Sequence, residues 1–353
     1  MDIKTLVRRE ILGQEGYRAH IPDCRIKMDA NEHPFTLPSS VKRALFHEMK
    51  NVSMNRYPEA GAPQVRGRYA RYYGVDEDML MIGNGSDELI HILCSAVVSP
   101  SVVMVPVPTF VMYRIIAVNA GHSVTEVPLD PSFDLDLGMM HKEMETRKPV
   151  LVFFSYPNSP TGNCFSEEKV AAIIRESRGI VVVDEAYGIF SGKTLLPLVK
   201  RYDNLVVLKT LSKVGFAAMR IGFLIGNPAL VRELDKVRLP YNVNALSQIA
   251  ARFYLDHNDV FLRQTDEVIQ RREELLRGLR RIRGVRPYPS ESNFIFFSCD
   301  FDSDRIYSSL IREGILVKNL NGPGILKNCM RVTVGSRREN REFLRTLRNI
   351  VSV

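Results

Sequence analysis

Cysteine is sparse in this chain of 353 residues, and its placement excludes more than its number does. Cys24, Cys94, Cys164, Cys299 and Cys329 lie far apart, with no Cys-x-x-Cys spacing. Neither a disulfide framework nor a thiolate zinc site is expected, and reduced, mostly buried thiols are. The seven histidines show no His-Glu-x-x-His or other paired spacing, so no metal is expected. No apolar run approaches the ~20 residues that a membrane-spanning helix needs. The first ten residues mix both signs of charge without an apolar stretch, so no signal peptide is read there and a cytoplasmic protein is expected. There is no internal repeat and no low-complexity segment.

What is present is an ordinary globular composition, 45% hydrophobic and 25% charged. At ~150 residues per domain the length suggests two domains. The formal net charge is +8, and much of the excess sits at Arg271, Arg272, Arg277, Arg280, Arg281, Arg283 and Arg286. Glu273, Glu274 and apolar residues are interleaved with them, as on the wet face of a long helix. No aromatic-interleaved basic motif accompanies them, so nucleic acid is not an expected partner. Small anionic substrates suit a basic protein better.

Short, wholly apolar, β-branched runs recur at Val102 to Val107, Val150 to Phe154, Ile180 to Val183, Leu205 to Leu208 and Ile221 to Ile225. Such runs are expected for strands covered on both faces, and helix-like segments such as Ser166 to Ser177 separate several of them. An α/β domain with a mostly parallel sheet follows. Residues 1–30 read as an irregular arm packing with a small domain, 31–240 as the large domain, and 241–353 as a small α+β domain. One long helical region is expected over 247–282, with strands near 293–298 and 330–334 and a last helix over 338–350.

In such sheets ligands gather beyond the carboxyl ends of the strands. Following successive strand candidates are Gly83-Asn84-Gly85-Ser86-Asp87-Glu88, Ser155-Tyr156-Pro157-Asn158, Asp184-Glu185-Ala186-Tyr187 and Lys209-Thr210-Leu211-Ser212-Lys213. Taken singly each is weak. Asp184 reads as a helix cap, Lys213 as a loop lysine, and the glycine pair lacks the third glycine of a dinucleotide fingerprint. Together, at one rim, they suit pyridoxal phosphate. Lys213 offers the amine for an imine. Asp184 offers a carboxylate for the pyridine nitrogen, and Asn158 and Tyr187 offer donors for the phenolic oxygen. The helix start at Ser86 and Asp87, with Ser212 and Arg220, offers a phosphate cup.

These strings, with Arg220-Ile221-Gly222, resemble the fold-type I aminotransferases. Ala30-Asn31-Glu32-His33-Pro34, Arg56-Tyr57-Pro58, Leu239-Pro240-Tyr241-Asn242-Val243-Asn244 and Met330-Arg331-Val332-Thr333-Val334-Gly335 narrow the resemblance to the histidinol-phosphate aminotransferases, over about residues 17–350. It implies a large α/β domain with a small α+β domain and ping-pong transamination in histidine biosynthesis. Histidinol phosphate and 2-oxoglutarate or glutamate would be the substrates. It also implies that Lys213 is the Schiff-base lysine and proton shuttle, that Phe110 stacks on the cofactor ring, and that Ser86, Asp87, Ser212 and Arg220 hold its phosphate. Tyr57 would reach the cofactor of the other subunit in a homodimer. Arg331 would bind the substrate carboxylate, and Tyr17 and Asn31 would line the substrate pocket.

Three positions depart from the family pattern. Phe110 stands where tyrosine is common. The stretch from Lys213 to Arg220 is one residue shorter than usual. Lys318 stands where an arginine would meet the substrate phosphate, keeping the charge and losing the planar fork. An aromatic aminotransferase or a threonine-phosphate decarboxylase is the alternative on the same scaffold. A DNA-binding regulator built on this fold would need a helix-turn-helix domain, for which a ~30-residue arm leaves no room.

Overall fold

The computed structural model describes residues 2–14, 16 and 22–352. Twelve strands among these form two sheets. The large one contains β2 (Leu80–Asn84), β3 (Val102–Val107), β4 (Ser123–Pro128), β5 (Leu151–Ser155), β6 (Ile180–Asp184), β7 (Leu205–Thr210) and β8 (Ile221–Ile225), in the order β2-β8-β7-β6-β5-β3-β4. The β3, β4, β5, β6 and β7 pairings are parallel, whereas β8 is antiparallel to both β7 and β2. Only β8 therefore runs against the rest of this sheet.

The unbroken apolar runs have a simple cause. Leu151 and Phe153 pack into the core on one face of the sheet, and Val152 and Phe154 into the core on the other. Successive strand residues point to opposite faces, so a strand covered on both sides must be apolar at every position. One face is covered by the helices Ser86–Ala96, Met112–Asn119 and Pro228–Asp235. The other is covered by Pro63–Tyr73, Leu137–Arg147, Glu167–Glu176 and Ala245–Asp256.

The second sheet has the order β1-β11-β12-β10-β9, built from β1 (Ile26–Met28), β9 (Val285–Pro287), β10 (Phe294–Cys299), β11 (Ile315–Asn319) and β12 (Cys329–Thr333). Its edge strand β1 comes from the N-terminal arm and pairs in parallel with β11, Ile26 opposite Ile315. The helices Asn258–Arg280, Ser303–Arg312 and Arg337–Val351 accompany this sheet.

The helical region expected over 247–282 is two helices. Ala245–Asp256 and Asn258–Arg280 meet at His257, which leaves helical geometry at φ −122°, ψ 25°. The first belongs to the core of the large sheet through Ile249, Phe253 and Tyr254. The second starts in that core at Phe261 and ends in the small-domain core with Val268, Leu275, Leu276 and Leu279. The change of core thus falls within this helix. A residue's core is decided by tertiary packing, which a change in sequence character does not report.

Candidate functional site

The carboxyl ends of β2, β5, β6 and β7 lie along one rim of the large sheet. Because β8 runs the other way, its amino end lies there too, and this is what brings Arg220 beside Ser86. Ser86, Asp87, Phe110, Tyr113, Ser155, Asp184, Ala186, Tyr187, Thr210, Ser212, Lys213 and Arg220 line a pocket at this rim. A roomier cleft around His141, Glu176 and Arg178 lies at the opposite rim, before β5 and β6, and shows no comparable convergence.

Asp184, the last residue of β6, is 3% exposed. Its Oδ2 accepts from Tyr113 Oη at 2.9 Å and its Oδ1 from the Ala186 N–H at 3.1 Å. Burial drives its pKa up from 3.8 to about 6, against the opposing pull of these two hydrogen bonds. Tyr113 is itself buried, stacked on Phe153 at 4.9 Å, and burial holds its phenol well above the usual range.

Lys213 follows β7. Its Nζ lies 5.5 Å from the centroid of the Tyr187 ring and 3.5 Å from the carbonyl of Ala30. Tyr187 Oη accepts from Asn31 Nδ2 at 2.9 Å, and its ring meets Phe294 edge-on. The turn carrying Asp184 and Tyr187 is braced from behind. The buried Glu185 carboxylate pairs with Lys209, accepts from Thr194 Oγ1 at 2.7 Å and accepts from the Leu195 N–H at 2.6 Å.

At the other end of the pocket, helix Ser86–Ala96 starts after Gly85, whose φ of +80° favours glycine. A Cβ on Gly222 of β8 would sit 2.5 Å from Gly85 C and Ser86 N, so the glycine lets the helix start close against the sheet. Arg220 reaches across this start. Its Nη1 donates to Ser212 Oγ at 3.1 Å and its Nη2 to Asp87 Oδ2 at 3.0 Å. Glu88 ties two sequence motifs together, accepting from the Asn84 N–H at 2.6 Å and from Asn242 Nδ2 at 2.7 Å.

The structure therefore gathers Lys213, Asp184, Tyr187, Ser86, Asp87, Phe110, Ser212 and Arg220 at one pocket. It leaves Asn158 out of the lining. That buried amide donates to the Pro108 carbonyl at 3.0 Å and Thr161 Oγ1 at 2.8 Å, and accepts from Thr109 Oγ1 at 2.9 Å. One of its hydrogens serves its own loop and the other the loop that follows β3. Asn31 is buried, with its amide on Tyr187. Tyr57 is 80% exposed and stacks on Tyr241 at 4.5 Å, outside this pocket. Tyr17 lies outside the described residues.

Arg331 on β12 donates to Ser159 Oγ at 3.0 Å and to the Asp29 carbonyl at 2.7 Å. Lys318 on β11 is opposite Arg331 in the strand register, so the two side chains share a face of the small sheet. Tyr113 and Thr210 are pocket residues that the sequence reading missed. Tyr113 stands just inside the helix Met112–Asn119, where its ring meets that of Phe110 edge-on at 5.4 Å, and nothing in the sequence marks its link to Asp184.

The model of the family "Aminotransferase class I and II" matches residues 25–347. A histidinol-phosphate aminotransferase of Nitrosococcus oceani is 44% identical over 97% of this chain and 96% of its own length. One from Aquifex aeolicus is 39% identical over 97% of each. Among solved structures, the histidinol-phosphate aminotransferase of Sinorhizobium meliloti in complex with pyridoxal-5'-phosphate superposes with a TM-score of 0.88 at 22% identity, covering 98% of this chain and 97% of that one. The Clostridium acetobutylicum enzyme gives 0.84 at 21% identity, covering 93% and 99%. That agreement extends over both sheets and their connecting helices, and with the family match and the sequence relatives it leads to one conclusion: this chain belongs to the class I and II aminotransferases.

Proposed function

We propose that this chain is a pyridoxal-phosphate-dependent aminotransferase that moves an amino group between L-histidinol phosphate and 2-oxoglutarate, as a cytoplasmic homodimer. One observation carries the cofactor reading. Asp184 is a fully buried carboxylate that makes no ion pair among the described residues, at the floor of a pocket that also holds a lysine amine. Burying an unpaired carboxylate is costly, and a protonated pyridine nitrogen is the partner that would remove the cost.

The remaining residues fit the same group. Lys213 is the amine for its aldehyde, and Phe110 supplies an apolar face for its ring. Tyr187 is the donor for its phenolic oxygen. Asn158 joins Tyr187 only by giving up one of its loop bonds. Ser212, Arg220 and the backbone amides of Ser86 and Asp87 form a cup for its phosphate, where Arg220 now pairs with Asp87. Tyr57, exposed on its own subunit, is assigned to the phosphate cup of the partner subunit.

When bound, the cofactor supplies an electron sink for the carbon–hydrogen bond that is broken. With the cofactor held there, Lys213 Nζ would be the base that takes that proton and the acid that gives it back. Asp184 would hold a proton at the ring nitrogen, and Tyr113 and the Ala186 amide keep Asp184 aimed. Arg331 offers a planar fork to a carboxylate, while Lys318 offers a compact charge to a phosphate. Asn31 borders the substrate side of the pocket, where Tyr17 is also assigned.

A substrate panel followed by the cofactor's absorbance tests the proposal. Histidinol phosphate should convert the bound cofactor to its amine form faster than tyrosine, phenylalanine or aspartate, with no carbon dioxide released from threonine phosphate. A preference for tyrosine would move the assignment to an aromatic aminotransferase.

A further inference from the structure

The hydrogen bonds around Asn31 have a direction, and that direction bears on Tyr187. Asn31 sits in left-handed geometry at φ +55°, a region that asparagine tolerates better than most residues. Its peptide is fixed at both ends by the small domain. The Asn31 N–H donates to Thr333 Oγ1 at 3.0 Å, and its carbonyl accepts from Asn293 Nδ2 at 3.0 Å. A hydroxyl that accepts from an N–H still has its own hydrogen to place. Asn31 Oδ1, at 3.2 Å, is where the Thr333 hydrogen goes. The oxygen end of the amide is thereby assigned to Thr333, and the NH2 end faces Tyr187 Oη at 2.9 Å. Since Asn31 donates to the phenol, the phenol's hydrogen is left to point into the pocket.

We propose that Thr333, acting through Asn31, is a positioning residue that makes Tyr187 a donor toward the pocket rather than toward the arm. The inference rests on the reading of the pocket as a pyridoxal-phosphate site with Tyr187 at the phenolic oxygen. It assigns to the small domain a control over a group of the large domain. Asn158 makes that control more consequential, because its amide hydrogens are committed to Pro108 and Thr161. The charged groups at the pocket are Lys213 after β7, Asp184 on β6, Asp87 on helix Ser86–Ala96 and Arg220 before β8, while Arg331 on β12 stacks 5.2 Å from the centroid of the Phe294 ring that Tyr187 touches. A neutral change at Thr333 alters none of them.

The experiment uses the pH midpoint of the visible absorption band of the pyridoxal-phosphate-loaded protein, which reports how well the ionised phenolic oxygen is held. Thr333→Val keeps the shape of the side chain and removes the hydroxyl. It should raise the midpoint by about half to one pH unit, the scale of one neutral hydrogen bond. Thr333→Ser should restore the wild-type midpoint, and Tyr187→Phe should raise it at least as far as Thr333→Val. Asn31→Gly tolerates the positive φ and removes the amide without adding charge, so it should shift the midpoint in the same direction, and it decides the matter if Thr333→Val does not fold. A role confined to structure would lower the melting temperature of these variants and leave the midpoint in place. Wild-type midpoints in Thr333→Val or, failing that variant, Asn31→Gly, beside a shifted Tyr187→Phe, overturn the relay alone. An unshifted Tyr187→Phe overturns the placement of Tyr187 and the relay with it. Failure of the wild-type protein to form a coloured complex overturns the cofactor reading.

Discussion

Replacing Asp184 with asparagine removes a charge while keeping its shape, and the structure fixes what should follow. In the folded protein burial raises this carboxyl from 3.8 to about 6. The folded state then binds more protons than the unfolded state between those values, so stability rises as pH falls through that window. Above pH 6 the ionised group costs the cofactor-free protein up to ~3 kcal/mol, at 1.36 kcal/mol per pKa unit. Cofactor-free Asp184→Asn should therefore be more stable than the wild type at pH 7.5, with the gap closing as pH falls through 6 and vanishing near 4. Urea unfolding midpoints of both proteins, taken across that range by circular dichroism, read the difference directly. Groups elsewhere titrate in both proteins and cancel. Adding pyridoxal phosphate at pH 7.5 should reverse the order, because the ring nitrogen's proton is then paired only in the wild type. A stability gap that stays constant with pH would refute the assignment of a buried, unpaired carboxylate at this position.

Lys213→Ala should lose its visible absorption on desalting and abolish turnover, since the anchor and the proton carrier are one atom; normal transamination by this variant would refute the assignment. Gly222→Ala would press a methyl group against Gly85 and Ser86, costing about 1–3 kcal/mol and loosening cofactor retention, measured by thermal melts and equilibrium dialysis. Lys318→Ala should lower kcat/KM for histidinol phosphate about tenfold to a hundredfold, and more than for glutamate, because a charge-assisted hydrogen bond is worth roughly 1.5–3 kcal/mol; equal losses on both substrates would exclude a phosphate role. Tyr57→Phe should weaken cofactor retention with an unchanged melting temperature, and light scattering that found an active monomer would end the cross-subunit reading.

The large sheet was legible because a strand covered on both faces must be apolar throughout. β3 and β8 have the ends that their runs suggested. Strand direction left no such mark. Nothing in Ile221–Ile225 reveals that β8 runs against its neighbours, yet that reversal delivers Arg220 to the pocket. The shortness of the Lys213 to Arg220 stretch therefore did not misdirect this arginine, which still reaches Ser212 and Asp87. Ser86, Asp184 and Lys213 were readable because each ends a strand or lies within three residues of a strand's end. Tyr113 was not, because its link to Asp184 spans 71 residues and depends on a helix angle. The bonds of Asn158 to Pro108, Thr109 and Thr161 were hidden for a similar reason. An amide in a turn has the same sequence signature whether it faces a ligand or a neighbouring loop. Strand β1 was invisible because three residues of edge strand carry too little pattern.

That short strand has a consequence for how the protein is made. The chain leaves the ribosome with β1 first, but its partner β11 emerges only after the whole large sheet has been synthesised. The arm must wait through most of translation without its sheet. Ala30 and Asn31, which meet Lys213 and Tyr187, lie just beyond β1, and the anchors of Asn31 emerge on either side of β11, Asn293 before it and Thr333 after it. The pocket is thus walled on its arm side only when the last part of the chain has been added. A product that ends before Asn293 lacks that residue and Thr333, which hold Asn31 against Tyr187. The arm side of the site is thus set by strands made after the large sheet.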